Sequence, residues 1–101
     1  MADLESKVDL TRKLQTVEHD RIELVQQAVE VLRSIQSGNE AELTDALAGV
    51  VGLGYLLAVQ MGIHPHRIDN VIAGGYRVAA EVDASRKPEL LEVAKYLSER
   101  L

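Results

Sequence analysis

The stretch from Ala46 to Met61, A-L-A-G-V-V-G-L-G-Y-L-L-A-V-Q-M, constrains this chain more than any other. From Asp45 to Arg67, histidine aside, no residue between the two carries a formal charge. A surface helix places charged or polar residues along one side of such a run. This run has none, so it must be surrounded, and the other segments are expected to pack around it. It is shorter than the ~20 residues that span a bilayer, so a buried helix is expected and a membrane partner is not.

The 101 residues are the size of one domain, taken as 1–101. A chain this long buries roughly 60–70% of its unfolded surface, enough for one core without covalent staples. Cysteine is absent, which excludes disulfides and thiolate sites. The opening Met-Ala-Asp-Leu-Glu-Ser-Lys has no apolar segment of the kind a secretory leader needs, so a cytoplasmic location is expected. The net charge is −5 and the basic residues are scattered, which argues against nucleic acid as a partner. Tyr55, Tyr76 and Tyr96 are the whole complement of Phe, Trp and Tyr, too few for a base-stacking platform.

Helical periodicity predicts a first helix from near Asp3 to about Ser37, with a break near Thr16. Leu10, Leu14, Val17, Ile22, Val25, Val29, Leu32 and Ile35 form its apolar set, widened by Leu24, Ala28 and Val31. Gly38 supplies a left-handed stop, and Asn39 caps a second helix running from about Glu40 to Met61. So short a connection makes the pair an antiparallel hairpin. In the second helix, Ala48, Gly52, Gly54 and Ala58 are small residues one turn apart, suited to close approach of another backbone. Gly62 ends it. Pro65 opens a third helix with Ile68, Val71 and Ile72 inside, and Gly74-Gly75 should fray or kink it. Asp83 to Lys87 reads as a loop. Pro88 then opens a docking helix over 88–101 whose stripe is Leu90, Ala94, Leu97 and Leu101. The fold class is all-α, an antiparallel hairpin plus two further helices. His19 and Glu23, four apart, read as a surface pair. His64 and His66 read as a cap and a surface residue, because a metal needs a third ligand.

Gln26-Gln27-Ala28-Val29-Glu30, then Gly38, Ala46-Leu47-Ala48-Gly49, Tyr55-Leu56-Leu57 and Met61-Gly62-Ile63 together resemble the MazG-like branch of the all-α nucleoside triphosphate pyrophosphohydrolases. The resemblance covers about residues 18–80 and is nearest to a short, divergent group called MazG-like. It implies a helical-bundle oligomer, a homodimer or a dimer of dimers. Active members carry Glu-Glu-x-x-Glu on the first helix and Glu-x-x-Asp on the second. Those carboxylates hold Mg²⁺, which bridges to the triphosphate and activates the attacking water. By this resemblance the metal-site positions here are Gln26, Gln27, Glu30, Ala46 and Gly49, and only Glu30 is a carboxylate. The family's downstream Lys and Asn fall near Gly75 and Ala79. A literal Glu-x-x-Asp, Glu42 to Asp45, lies one turn earlier and with Glu30 would make a displaced acidic site. First-turn acids are otherwise explained by capping and the helix dipole.

The expected state is a non-catalytic oligomeric scaffold that has lost most Mg²⁺ ligands. Two alternatives stand beside it. One is a Mg²⁺-dependent hydrolase cleaving a nucleoside triphosphate to monophosphate and pyrophosphate. The other is a nucleotide sensor that binds through Gln26, Gln27, Tyr55 and Arg77 without turnover.

Overall fold

A computed structural model describes residues 2–100, with side chains from Ser6 onward. Its α-helices are α1 (Ala2–Ser37), α2 (Glu40–Gln60), α3 (Pro65–Val82) and α4 (Lys87–Glu99), with a 3₁₀ turn over Ala84–Arg86 before α4. They form two compact units, residues 1–62 holding α1 and α2, and residues 63–101 holding α3 and α4.

In the first unit the turn chemistry acts as the sequence predicts. Gly38 sits at φ +71°, and its N–H donates to the Ser34 carbonyl at 3.1 Å. The Asn39 side chain accepts from the Glu42 N–H at 3.0 Å. These two residues reverse the chain within a step. The helices are antiparallel. Near the turn, Ser34 and Glu42 line one groove, and Gln27 touches Gly49 further along. At the far end the Gln60 amide donates to the Asp20 carboxylate at 2.6 Å. At 1.5 Å per residue α1 is ~54 Å long and α2 is ~32 Å, so the N-terminal part of α1 runs on past the end of α2. No break occurs near Thr16. Its hydroxyl donates to the Arg12 carbonyl at 3.0 Å, a bond that leaves the helix intact.

The face that α1 protects matches only part of the expected apolar set. Val17, Asp20, Glu23, Leu24, Gln27, Val31 and Ser34 are the protected positions, and of the expected set they include Val17, Leu24 and Val31. Ile22, Val25, Val29 and Leu32, in heptad steps, face away; Val25 is 64% exposed and Leu32 68%. On α2 only Ala46 and Ala58 are buried, while Leu47, Val51, Leu56 and Val59 are exposed. The helix expected to be surrounded is therefore covered on one side only within its own unit. Its one neighbour in the unit is α1, and one helix covers one side of another. The bilayer-length argument also changes, because α2 includes Glu40–Asp45 and reaches 21 residues. It is long and apolar enough to cross a membrane by length and composition only, with 11% of that stretch buried.

The second unit is a smaller helical pair. Pro65 opens α3, and the His64 ring nitrogen accepts from the His66 N–H at 3.0 Å. The helix runs unbroken through Gly74-Gly75. Ala73 before them and Ala80 after them are both buried, so packing holds the helix on either side. The inner side is Asp69, Ala73 and Ala80 with Ile72 half-buried, while Val71 is exposed. Leu90, Ala94 and Leu97 of α4 are buried, the docking stripe the spacing predicts; Leu101 lies outside the described residues. Arg100 holds Asp69 with two bonds of 3.1 Å, and its guanidinium lies 5.2 Å from the Tyr96 ring centre. The expected 83–87 loop is instead the 3₁₀ turn. Asp83 accepts from the Ser85 N–H and hydroxyl, and α4 begins at Lys87.

Candidate functional site

The residues expected to carry chemistry converge at the turn end of the first unit. Gln27, Glu30, Ser34, Glu42, Asp45, Ala46 and Gly49 line an open groove of about 350 Å³ between α1 and α2. Helix geometry explains the selection. Positions 27, 30 and 34 share one face of α1, and 42, 45, 46 and 49 share one face of α2. Gln26 is rotated about 100° from Gln27 by the helical repeat and is exposed outside the groove. Ser34 is a member that sequence reasoning missed. Its place four residues after Glu30, on the same face, was the signal that could have found it.

Gly49 is where the Gln27 side chain lies against α2. A Cβ built there would meet the Gln27 Oε1 at 2.8 Å. Gly52 and Gly54, the expected points of close approach, have no neighbour within 4 Å of such a Cβ among the described residues. A side chain at 49 would have to displace the flexible Gln27 amide that lies across it. At 52 the chain itself makes no such demand.

The groove's charge comes from Glu30, Glu42 and Asp45. Glu30 is paired with Arg33 at 2.9 Å on an exposed side, and the α2 acids are exposed. The displaced acidic residues thus line the groove together with Glu30. Even so, among the described residues no group of three His, Cys, Asp or Glu side chains is placed to hold a metal. Mg²⁺ needs near-octahedral oxygen ligands at 2.0–2.1 Å and charge balance. Gln27 offers a neutral carbonyl, Ala46 and Gly49 offer nothing, and Glu30 already faces a guanidinium. The donor set does not fit the ion.

The remaining candidates lie elsewhere. Tyr55 is half-buried on α2 but does not line the groove, and Arg77 belongs to the second unit, where it donates to the Ser98 hydroxyl. Gly75 and Ala79 supply no side-chain donor for a phosphate. His19 pairs with Asp20 at 3.3 Å rather than with Glu23. Asp20 is held below its ordinary range, first by the Gln60 amide and then by His19.

Fold and groove together define an all-α protein built on an antiparallel hairpin, with a polar cleft beside its turn. A MazG-like family model matches residues 10–87, and the chain belongs to the MazG-like family. No curated protein and no solved structure matches it.

Proposed function

We propose that this MazG-like protein is a non-catalytic helical scaffold that assembles with copies of itself, as a homodimer or a dimer of dimers. The observation that carries the reading is Gln27 packed over Gly49. That pair occupies positions where a member acting on triphosphates needs Mg²⁺-bridging carboxylates. The outward stripe of Ile22, Val25, Val29 and Leu32, together with the exposed apolar residues of α2, supports self-assembly. Contiguous apolar surface of this extent is uncommon on a monomer. Two such hairpins pack readily into a four-helix bundle.

The hydrolase reading keeps one argument, the shared groove of Glu30, Glu42 and Asp45. Pyrophosphate release from a panel of nucleoside triphosphates, with Mg²⁺ or Mn²⁺, separates the two. The expected result is no turnover, with a dimer or tetramer mass by light scattering. Turnover that disappears in Glu30→Gln overturns the scaffold. Nucleotide binding without turnover, measured by calorimetry, selects the sensor.

A further inference from the structure

We infer that the part of α1 that runs past the end of α2 docks antiparallel on the same part of a second copy, Leu10 of each against Leu14 of the other. This contact is separate from the outward stripe. It rests on the self-assembling scaffold proposed above and adds the surface that joins one pair of copies to the next. Three observations meet there.

The first is continuity with the hairpin's own packing. α2 ends where Gln60 reaches Asp20, so residues 2–16 of α1 extend beyond it for ~22 Å. Leu10, Leu14 and Val17 follow one another in steps of four and three, and the same steps lead on to Leu24 and Val31, which are protected in the hairpin. Beyond α2 that stripe loses its cover: Leu10 is 57% exposed and Leu14 61%. With Met61 and Gly62 these residues line an apolar groove of about 530 Å³. Its place calls for a helix lying in line with α2 and antiparallel to α1.

The second is charge. Over residues 6–13 stand Lys7, Arg12 and Lys13 with one acid, Asp9; over residues 14–20 stand Glu18 and Asp20 with no Lys or Arg. Antiparallel pairing sets the basic half of one copy against the acidic half of the other, whereas parallel pairing sets like against like. Leu10 and Leu14 lie symmetrically about Arg12, so a two-fold axis there pairs each with the other. The same register sets Lys7 of one copy against Val17 of the other. Its stem covers the valine and its ammonium reaches towards Glu18 and Asp20.

The third is an acceptor without a donor. Gln60 lines this groove and spends its Nε2 on Asp20, while its Oε1 is buried with no donor among the described residues. A buried acceptor left unpaired is costly. The Lys7 ammonium of a second copy, arriving beside Val17, is a donor for it. Segments this short bury less than the roughly 1,200–2,000 Å² of a stable complex, so the contact joins copies already held by the outward stripe rather than making a dimer alone.

The chain has no cysteine, so introduced cysteines report the contact directly. Leu10→Cys and Leu14→Cys, both at exposed positions, are oxidised separately and as a mixture, with helix content checked by circular dichroism. The mixture is expected to form a disulfide-linked dimer severalfold faster than either variant alone. Glu18→Lys in both chains is expected to slow it, and Lys7→Glu added to Glu18→Lys is expected to restore it. Equal rates in the mixture and in the separate variants would mean that the register is not antiparallel and overturns the inference. Absence of a cross-link, or no response to the charge changes, also overturns it. Light scattering of the unsubstituted protein is read separately. A monomer mass sinks the scaffold, whereas a dimer or tetramer mass without the cross-link sinks only this contact.

Discussion

The side-chain amide of Gln27 lies across Gly49, so close that a Cβ at position 49 would stand 2.8 Å from its oxygen. One methyl group at 49 therefore sets two effects against each other. Alanine improves helix propensity by about 1 kcal/mol over glycine. It also displaces the Gln27 amide, whose Cδ and Cγ lie at 3.0 and 3.1 Å. Gly49→Ala is expected to stabilise by about 1 kcal/mol in a Gln27→Ala background and by less in the native one. A double-mutant cycle from chemical denaturation measures the difference. Equal gains in both backgrounds would mean that the amide does not press on Gly49.

Asn39 closes the hairpin by accepting from the Glu42 N–H. Replacing it with alanine strands that donor at the start of α2. Asn39→Ala is expected to lower unfolding free energy by about 1 kcal/mol, with Asn39→Gly milder by several tenths. Thermal unfolding of the three proteins gives the ranking.

Arg100 and Asp69 form a two-bond pair in which the Asp69 side chain is only 9% exposed. Arg100→Met keeps much of the apolar stem but withdraws the charge from a buried carboxylate. A loss of about 1–3 kcal/mol is expected, reduced from the fully buried case because Arg100 itself is partly solvated. Both bonds leave one guanidinium nitrogen, Nη2, so Arg100→Lys, which keeps the charge, is expected to recover part of the loss.

Asp20 titrates below the ordinary carboxylate range because the Gln60 amide, and secondarily His19, favour its charged form. A depressed acid contributes stability that is fully present above its unfolded-state value. That contribution is lost as pH falls through the lower folded-state value. The hairpin is thus expected to weaken on acidification below about pH 4. Gln60→Leu is expected to raise the Asp20 midpoint and flatten that acid limb. Carboxyl NMR titration reads the first effect and urea unfolding across acid pH reads the second.

The outward stripe on α1 gives the test of assembly. Val25→Lys with Leu32→Lys places two charges at positions 64% and 68% exposed in the chain. Helix content is expected to be retained while the light-scattering mass falls to that of a monomer. Gly52→Leu probes α2 in the same way. Nothing stands within 4 Å of a Cβ there among the described residues, so a copy packed on that face would meet the new side chain. An unchanged mass in both variants would remove these faces from the interface.

Much of the local structure was legible because it depends on near neighbours. Gly38 and Asn39 fix the reversal, Pro65 and His64 start α3, and Leu90, Ala94 and Leu97 are the buried face of α4. Gly74-Gly75 misled because propensity is a small local bias, and burial of Ala73 and Ala80 outweighs it. The candidate site was legible in part. Glu30, Glu42, Asp45, Ala46 and Gly49 could be placed from motif spacing, whereas Ser34 carries no motif and only its helical spacing from Glu30 pointed to it.

What the sequence alone determined is the set of helices and their caps, because periodicity and turn chemistry are local properties. Which face of α1 meets α2 was decided only by the tertiary structure. Two heptad-spaced stripes run along that helix, one wholly apolar, one mixed, with Leu24 and Val31 among Asp20, Gln27 and Ser34. Helical spacing is common to both and does not choose between them. The hairpin packs the mixed stripe, placing Gln27 over Gly49 and Ser34 in the groove, and leaves Val25 and Leu32 facing outward.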